Sequence, residues 1–139
     1  MFPSVSIWGV VLGGLSAMVV GMLWYSPFMF GKQWGKALGV TDKQMNEGRA
    51  KVMPVLILVS LLTAYVLSVF TVYLQHYTGK SWIMSGFDTA ILAWLGFAAT
   101  ALVAHDVFDP RPRSKMYINL GNRLATLVVM GLIVGTFLK

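Results

Sequence analysis

Apolar residues along this chain fall into four runs of about twenty, Ser6–Tyr25, Val52–Tyr73, Ile83–Ala104 and Ile118–Leu138, separated by shorter polar stretches. At 1.5 Å per residue, a helix of about twenty residues crosses a hydrocarbon layer of ~30 Å. The pattern predicts an all-α protein, a polytopic transmembrane four-helix bundle. One domain covers residues 1–139, with spans at about 6–25, 52–73, 83–104 and 118–138 and loops at 26–51 and 105–117. The first run lacks a basic leader and is too long for the apolar part of a cleavable signal, so it is expected to stay as an anchor.

The charges give the expected spans a direction. Lys32, Lys36, Lys43, Arg49 and Lys51 lie between runs one and two, and Arg111, Arg113 and Lys115 between runs three and four. The opposite side has only Lys80 and Lys139. Basic loops stay in the cytoplasm, so the expected topology is N-out/C-out, with loops 26–51 and 105–117 inside. This asymmetry accounts for the net charge of +6 without a nucleic-acid partner. The partner expected first is the lipid bilayer itself, as a multi-pass protein of a bacterial inner membrane. Aromatic residues sit at the expected interfaces, with Trp8, Tyr73, Tyr77 and Trp82 outside and Trp24, Tyr25, Trp34 and Tyr117 inside. Trp94 falls near mid-membrane, where its indole N–H requires a partner within the bundle.

Composition agrees with this class. Hydrophobic residues make up 57% and charged residues 12%, against about 25% charged in a soluble domain. The mean hydropathy is +0.71. There is no cysteine, which excludes disulfides and thiolate metal sites. His76 and His105 lie on opposite sides, so they build no common site, and no metal or cofactor is expected. Walker, dinucleotide, HExxH and GxSxG motifs are absent, and no nucleophile has an activating base beside it, so an enzyme is not expected.

The connections are readable too. Ser26-Pro27 stops the first helix, because a residue before proline avoids helical geometry. The following aromatic and basic stretch to Gly39 should lie along the cytoplasmic interface. Thr41-Asp-Lys-Gln44 fits a capping box that starts a short helix leading to run two, weakened by Gly48, with Pro54 near the start of the span. Small residues recur at four-residue spacing: Gly9, Gly13, Ala17 and Gly21 in run one, Ser60, Ala64 and Ser68 in run two, Gly96, Thr100 and Ala104 in run three, Gly131 and Gly135 in run four. Such stripes let helices approach closely in lipid. They first imply packing within one subunit, and their number suggests a homo-oligomer as well.

Polar groups at membrane depth are the functional candidates. Asp88 lies six residues past Trp82, or about 9 Å if helical. It is either an ion or proton site, or a carboxyl that bonds a neighbouring helix or faces an outer water crevice. Asn119, Asn122, Arg123 and Thr126 share one face of run four. Arg123 is expected to pair with Asp106 or Asp109, or to reach a headgroup phosphate. His105 and Asp106 are adjacent on a helix, where side chains diverge, so no dyad is expected.

Gly21-Met-Leu-Trp24-Tyr25-Ser26-Pro27, followed by Phe30-Gly31-Lys32-Gln-Trp34, resembles the first-helix signature of the bacterial domain-of-unknown-function family 1761. Lys115-Met-Tyr-Ile118-Asn119-Leu-Gly121, with Met130-Gly131, is similar to that family's last helix, although Asn122 stands where an aromatic often follows the glycine. The resemblance implies a small four-helix membrane protein and supplies no activity. It draws attention to Trp24, Tyr25, Pro27, Gly31 and Trp34 as a cytoplasmic corner or docking surface, and to Asn119. The function expected from all this is an oligomeric channel or transporter-like protein for an ion or small solute. Asn119, Asn122, Arg123 and Thr126 would line its path, with Asp88 at the outer mouth. The alternative is an accessory or scaffold subunit of a larger membrane complex.

Overall fold

Ser6 caps the first helix by accepting a hydrogen bond from the Gly9 N–H at 3.3 Å, and α1 (Ile7–Trp24) runs from there to the Ser26-Pro27 stop. The computed structural model describes residues 3–138. A tight corner follows α1, closed by Phe30 N–H to Trp24 O and Gly31 N–H to Ser26 O, both 3.0 Å. Only glycine fits at Gly31, because a Cβ there would meet the Tyr25 and Ser26 carbonyls. The short helix α2 (Gly31–Leu38) buries Gly31, Gly35 and Ala37 and exposes Lys32, Gln33 and Lys36. It ends at Gly39, whose φ of 70° suits a residue without Cβ.

The Thr41 capping box forms, with Gln44 N–H donating to Thr41 Oγ1 at 3.3 Å and Thr41 N–H to Gln44 Oε1 at 3.0 Å. The helix it starts differs from the short one expected. α3 (Asp42–Thr78) continues without a break for 37 residues and carries Pro54 inside it. At 1.5 Å per residue it is about 55 Å long, well beyond a ~30 Å hydrocarbon layer. Proline deprives the Ala50 carbonyl of its helical donor, but Ala50 is exposed, so another partner can serve it. Gly48 costs only about 1 kcal/mol against alanine. Neither residue outweighs the propagation of a long helix anchored by its apolar half.

Gly79, at φ 67°, turns the chain into α4 (Trp82–Ala93), capped by Ser81. A π-helical turn at Trp94–Ala99 joins α4 to α5 (Thr100–Asp106), so the third span is one interrupted helix. The Trp94 indole N–H finds its partner there, donating to Leu120 O at 3.1 Å. After a proline-containing loop, α6 (Arg113–Phe137) completes the chain. Among the described residues there is no strand. The four helical segments Ile7–Trp24, Asp42–Thr78, Trp82–Asp106 and Arg113–Phe137 are each long and apolar enough to cross a membrane.

α3 and α6 pack on one another, and α1 and α4 each lie against both. Gly9 lies against Phe137, so the start of α1 and the end of α6 share one end of the molecule, here the terminal end. The opposite, basic end carries the corner, α2, the start of α3 and the loop before α6. All four long helical segments pack closely together only towards the terminal end. There α1 buries Gly9, Gly13, Gly14 and Ala17, α3 buries residues from Ala64 to Val72, and α4 buries Ser85, Gly86, Thr89 and Ala90. Gly9 and Gly13 face Phe137, Val134 and Met130 of α6, while Gly131 and Gly135 press against the backbone of α4 at Gly86 and at Trp82–Ile83. Towards the basic end α3 buries nothing before Ala64, and the π-turn and α5 bury nothing at all. Over that half α3 therefore splays away from the π-turn and α5, while Trp24 and Trp94 keep α1 and the third span on α6. Gly21 corrects the packing role expected of it: nothing lies within 4 Å of a Cβ built there, because it faces the space the splay opens.

The basic end is tied by charge. Lys115 Nζ donates to Asp109 Oδ2 at 2.6 Å and to Asp106 Oδ1 at 3.2 Å. Of the two expectations for Arg123, pairing with Asp106 or Asp109 is not met, because Lys115 in the first turn of α6 reaches both. His105 Nδ1 lies 2.8 Å from Asp106 Oδ1, so this adjacent pair does meet; at a helix end the two side chains can turn towards each other. The Lys115 hydrogen bond, helped by the Arg111 N–H, holds the Asp109 carboxyl below the usual carboxylate range. A depressed folded value means the tie is fully present above the ordinary pKa of about 4 and is lost as pH falls through the lower folded value. A carbon NMR titration of Asp109 is expected to show that depressed midpoint. A midpoint at the ordinary value would mean that Lys115 does not hold the loop.

Candidate functional site

The splay opens a half-open cavity of about 740 Å³ towards the basic end, lined by all four long helical segments. From α6 come Asn119, Asn122, Arg123 and Thr126, which all line it. From α3 come Arg49, Met53, Leu56, Ser60 and Thr63, at alternating spacings of four and three along one helical face. Tyr25, at the end of α1, closes one wall, and Phe97, Ala98 and Ala101 form another.

The polar balance within the cavity is one-sided. Asn122 is buried and its Nδ2 has no hydrogen-bond partner. Asn119 Oδ1 is already taken, accepting from the Tyr25 hydroxyl at 2.8 Å and from Trp34 Nε1 at 3.0 Å. Arg49 and Arg123 line the cavity together with Tyr25, and among the described residues neither has a carboxylate within salt-bridge distance. The lining includes no acidic side chain. Two guanidinium groups and the unpaired Asn122 amide group thus line the cavity with no carboxylate opposite them.

The corner residues hold α2 against α6. Trp24 Nε1 donates to Ile118 O at 3.0 Å, and the Trp24 ring covers Gly121, where a Cβ would lie 2.7 Å from Cζ2. The Tyr25 and Trp34 rings lie tilted against each other, centroids 4.8 Å apart, as both reach Asn119. Pro27 lies in the turn that lets them do so. A second cavity of about 360 Å³ lies under α2 and shares Tyr25, Arg49 and Leu56 with the larger one. Tyr25 and Arg49 thus stand between two chambers.

Asp88 corrects its expected place at the mouth of the same path. It is bound by Lys80 Nζ at 2.6 Å across the terminal-end turn and does not line the cavity. The flexible lysine on the adjoining turn reaches it. Arg49 is the site residue that sequence reasoning missed. Its signal was the 49-53-56-60-63 spacing, hidden because the span was started after Arg49, at Val52, with Pro54 taken as its first turn. No group of three or more His, Cys, Asp or Glu able to hold a metal occurs among the described residues.

Fold and site together define an all-helical protein with four candidate membrane-spanning helices and a donor-rich cavity between them. Residues 8–135 match the family described as Protein of unknown function (DUF1761), and the chain belongs to that family. The resemblance seen in the first and last helices therefore extends over nearly the whole chain. No curated protein and no solved structure matches it.

Proposed function

We propose that this protein is a transporter-like membrane protein that takes a small solute into the cavity between α1, α3, α5 and α6. The observation that carries the reading is the splay itself. It opens about 740 Å³, within the ~300–1,000 Å³ range of small-molecule sites, around the buried and unpartnered Asn122 Nδ2. In this reading the membrane is a bacterial inner membrane, the basic end faces the cytoplasm and both termini face outward. The cavity then opens inward, while glycine contacts close the outer half. A closed half and an open half suit a carrier better than a channel. A homo-oligomer or a larger complex is supported by one face only: Gly96, Thr100 and Ala104 point outward, with nothing near Gly96.

The absence of native cysteine makes the test direct. Thr126→Cys in oriented membrane vesicles is expected to react with a water-soluble maleimide from the cytoplasmic side. Ala64→Cys, at a position 0% exposed, should stay unlabelled. A carrier should also expose Thr126→Cys to the outside for part of the time. Labelling from neither side would remove the cavity as a solute site, and labelling from one side alone under every condition would remove passage.

A further inference from the structure

We infer that the solute is an oxyanion carried on an acyl chain, its acidic head held by Arg49, Arg123 and Asn122 and its tail leaving between α3 and the π-turn. This rests on the reading of the cavity as a solute site and specifies its chemistry.

The head follows from the count of donors and acceptors. Two guanidinium groups face a lining without a carboxylate, and neither is in a salt bridge with another described residue. Asn122 contributes an N–H₂ group that is buried and unpaired. The side-chain carbonyl of Asn119 has already accepted two hydrogen bonds, from Tyr25 and Trp34. A ligand that accepts hydrogen bonds and carries negative charge, as a carboxylate or phosphate does, complements these three groups. A cation would meet two like charges, and a neutral lipid would leave both guanidiniums unpaired.

The tail follows from the walls. Apart from its polar groups the cavity is lined by aliphatic, methionine and aromatic side chains. The π-turn and α5 lean chiefly on α6, not α3. On the two sides of that gap, Leu56 and Val59 of α3 and Phe97 of the π-turn are exposed, Phe97 by 72%. In a membrane these residues meet acyl chains, so the gap is a passage from cavity to lipid. A small inorganic anion would satisfy the arginines and leave these apolar walls wet. An amphiphile satisfies both, and the arginines sit at the basic end, where an acidic head would lie near the interface with its tail towards mid-membrane.

The test is native mass spectrometry of the full chain released from phosphatidylcholine nanodiscs, with dodecanoate, 1-dodecanol and inorganic phosphate as probes. Dodecanoate is expected to be retained at one per chain. Arg49→Gln and Arg123→Gln should each weaken it about tenfold, the effect of losing one charge-assisted hydrogen bond. Arg123→Lys should recover part of the loss, and unchanged melting of each unliganded variant would show that it still folds. Nanodiscs doped with phosphatidylglycerol separate the two sources of the head: retention of that lipid in competition with dodecanoate assigns a membrane phospholipid, and its exclusion assigns a free acyl carboxylate. Either result supports the shared chemistry. Dodecanol held as well as dodecanoate, with no effect of the arginine changes, would overturn the oxyanion while leaving a solute site. Phosphate held as well as dodecanoate would overturn the acyl chain. Retention of no probe and no acidic lipid would overturn the inference, whereas the cysteine labelling of Thr126→Cys would still decide whether the cavity takes a solute.

Discussion

Gly131→Leu is expected to destabilise the protein by more than about 3 kcal/mol, the upper end of ordinary overpacking. A Cβ at Gly131 would run into the Gly86 carbonyl and lie 2.9 Å from the Ala90 Cβ. A Cβ at Gly135 would lie 2.9 Å from the Ile83 Cα. The neighbours here are backbone atoms of α4, which cannot move aside as a flexible side chain does. Leucine is the better helix former by less than about 1 kcal/mol, so the steric term wins. The whole of α4 would have to withdraw from α6, and in the proposed membrane setting lipid would offer no hydrophobic drive to press it back. Gly96→Leu serves as the control, because nothing lies within 4 Å of its Cβ position. Unfolding free energies measured in the same detergent check the pair. Equal stability of Gly131→Leu and the parent would show that α4 and α6 do not touch as described.

The second large effect is expected at Asn119. Asn119→Leu removes the acceptor shared by the Tyr25 hydroxyl and Trp34 Nε1, which approach it at 2.8 Å and 3.0 Å. An orphaned donor costs about 1–3 kcal/mol when buried. Both donors are only partly buried, so water can replace some of the loss, and about 2 kcal/mol in total is expected. The loss should be local. α2 would detach from α6, its amides at residues 31–38 would exchange faster, and Trp34 emission would shift to the red. Asn119→Asp keeps the acceptor and should keep the latch. Tyr25→Phe or Trp34→Phe should cost less, since each leaves Asn119 with one donor. Unchanged exchange in α2 would mean that the corner is held by Trp24 and by packing alone.

These two residues also show how far the chain was readable before folding. Asn119 was visible twice, as part of a polar helical face and within the family's last-helix pattern. Its hydrogen bonds were not visible, because Tyr25 and Trp34 lie 94 and 85 residues away along the chain. The glycine stripes were visible as four-residue spacings. Which stripe meets which helix was not, because Gly9 and Gly21 look alike in sequence while only Gly9 faces another helix. Asp88 and Arg123 stood out as polar groups in apolar runs, but no local pattern shows that Lys80 reaches Asp88, or that Lys115 takes the two aspartates expected as one option for Arg123.

The sequence by itself determined what depends on short-range periodicity and composition. That covers the four long apolar helices, the Thr41 cap, the stop at Pro27, the polar face of α6 and the concentration of positive charge on two connections. These follow from interactions within a few residues or from the solvent each run prefers. Only the tertiary structure decided that α3 runs unbroken through Pro54, carrying Arg49 onto the cavity wall. Only it placed the tight glycine packing at one end and the splay at the other. Those outcomes depend on which backbones can approach one another, a sum over contacts between distant segments that no local pattern contains.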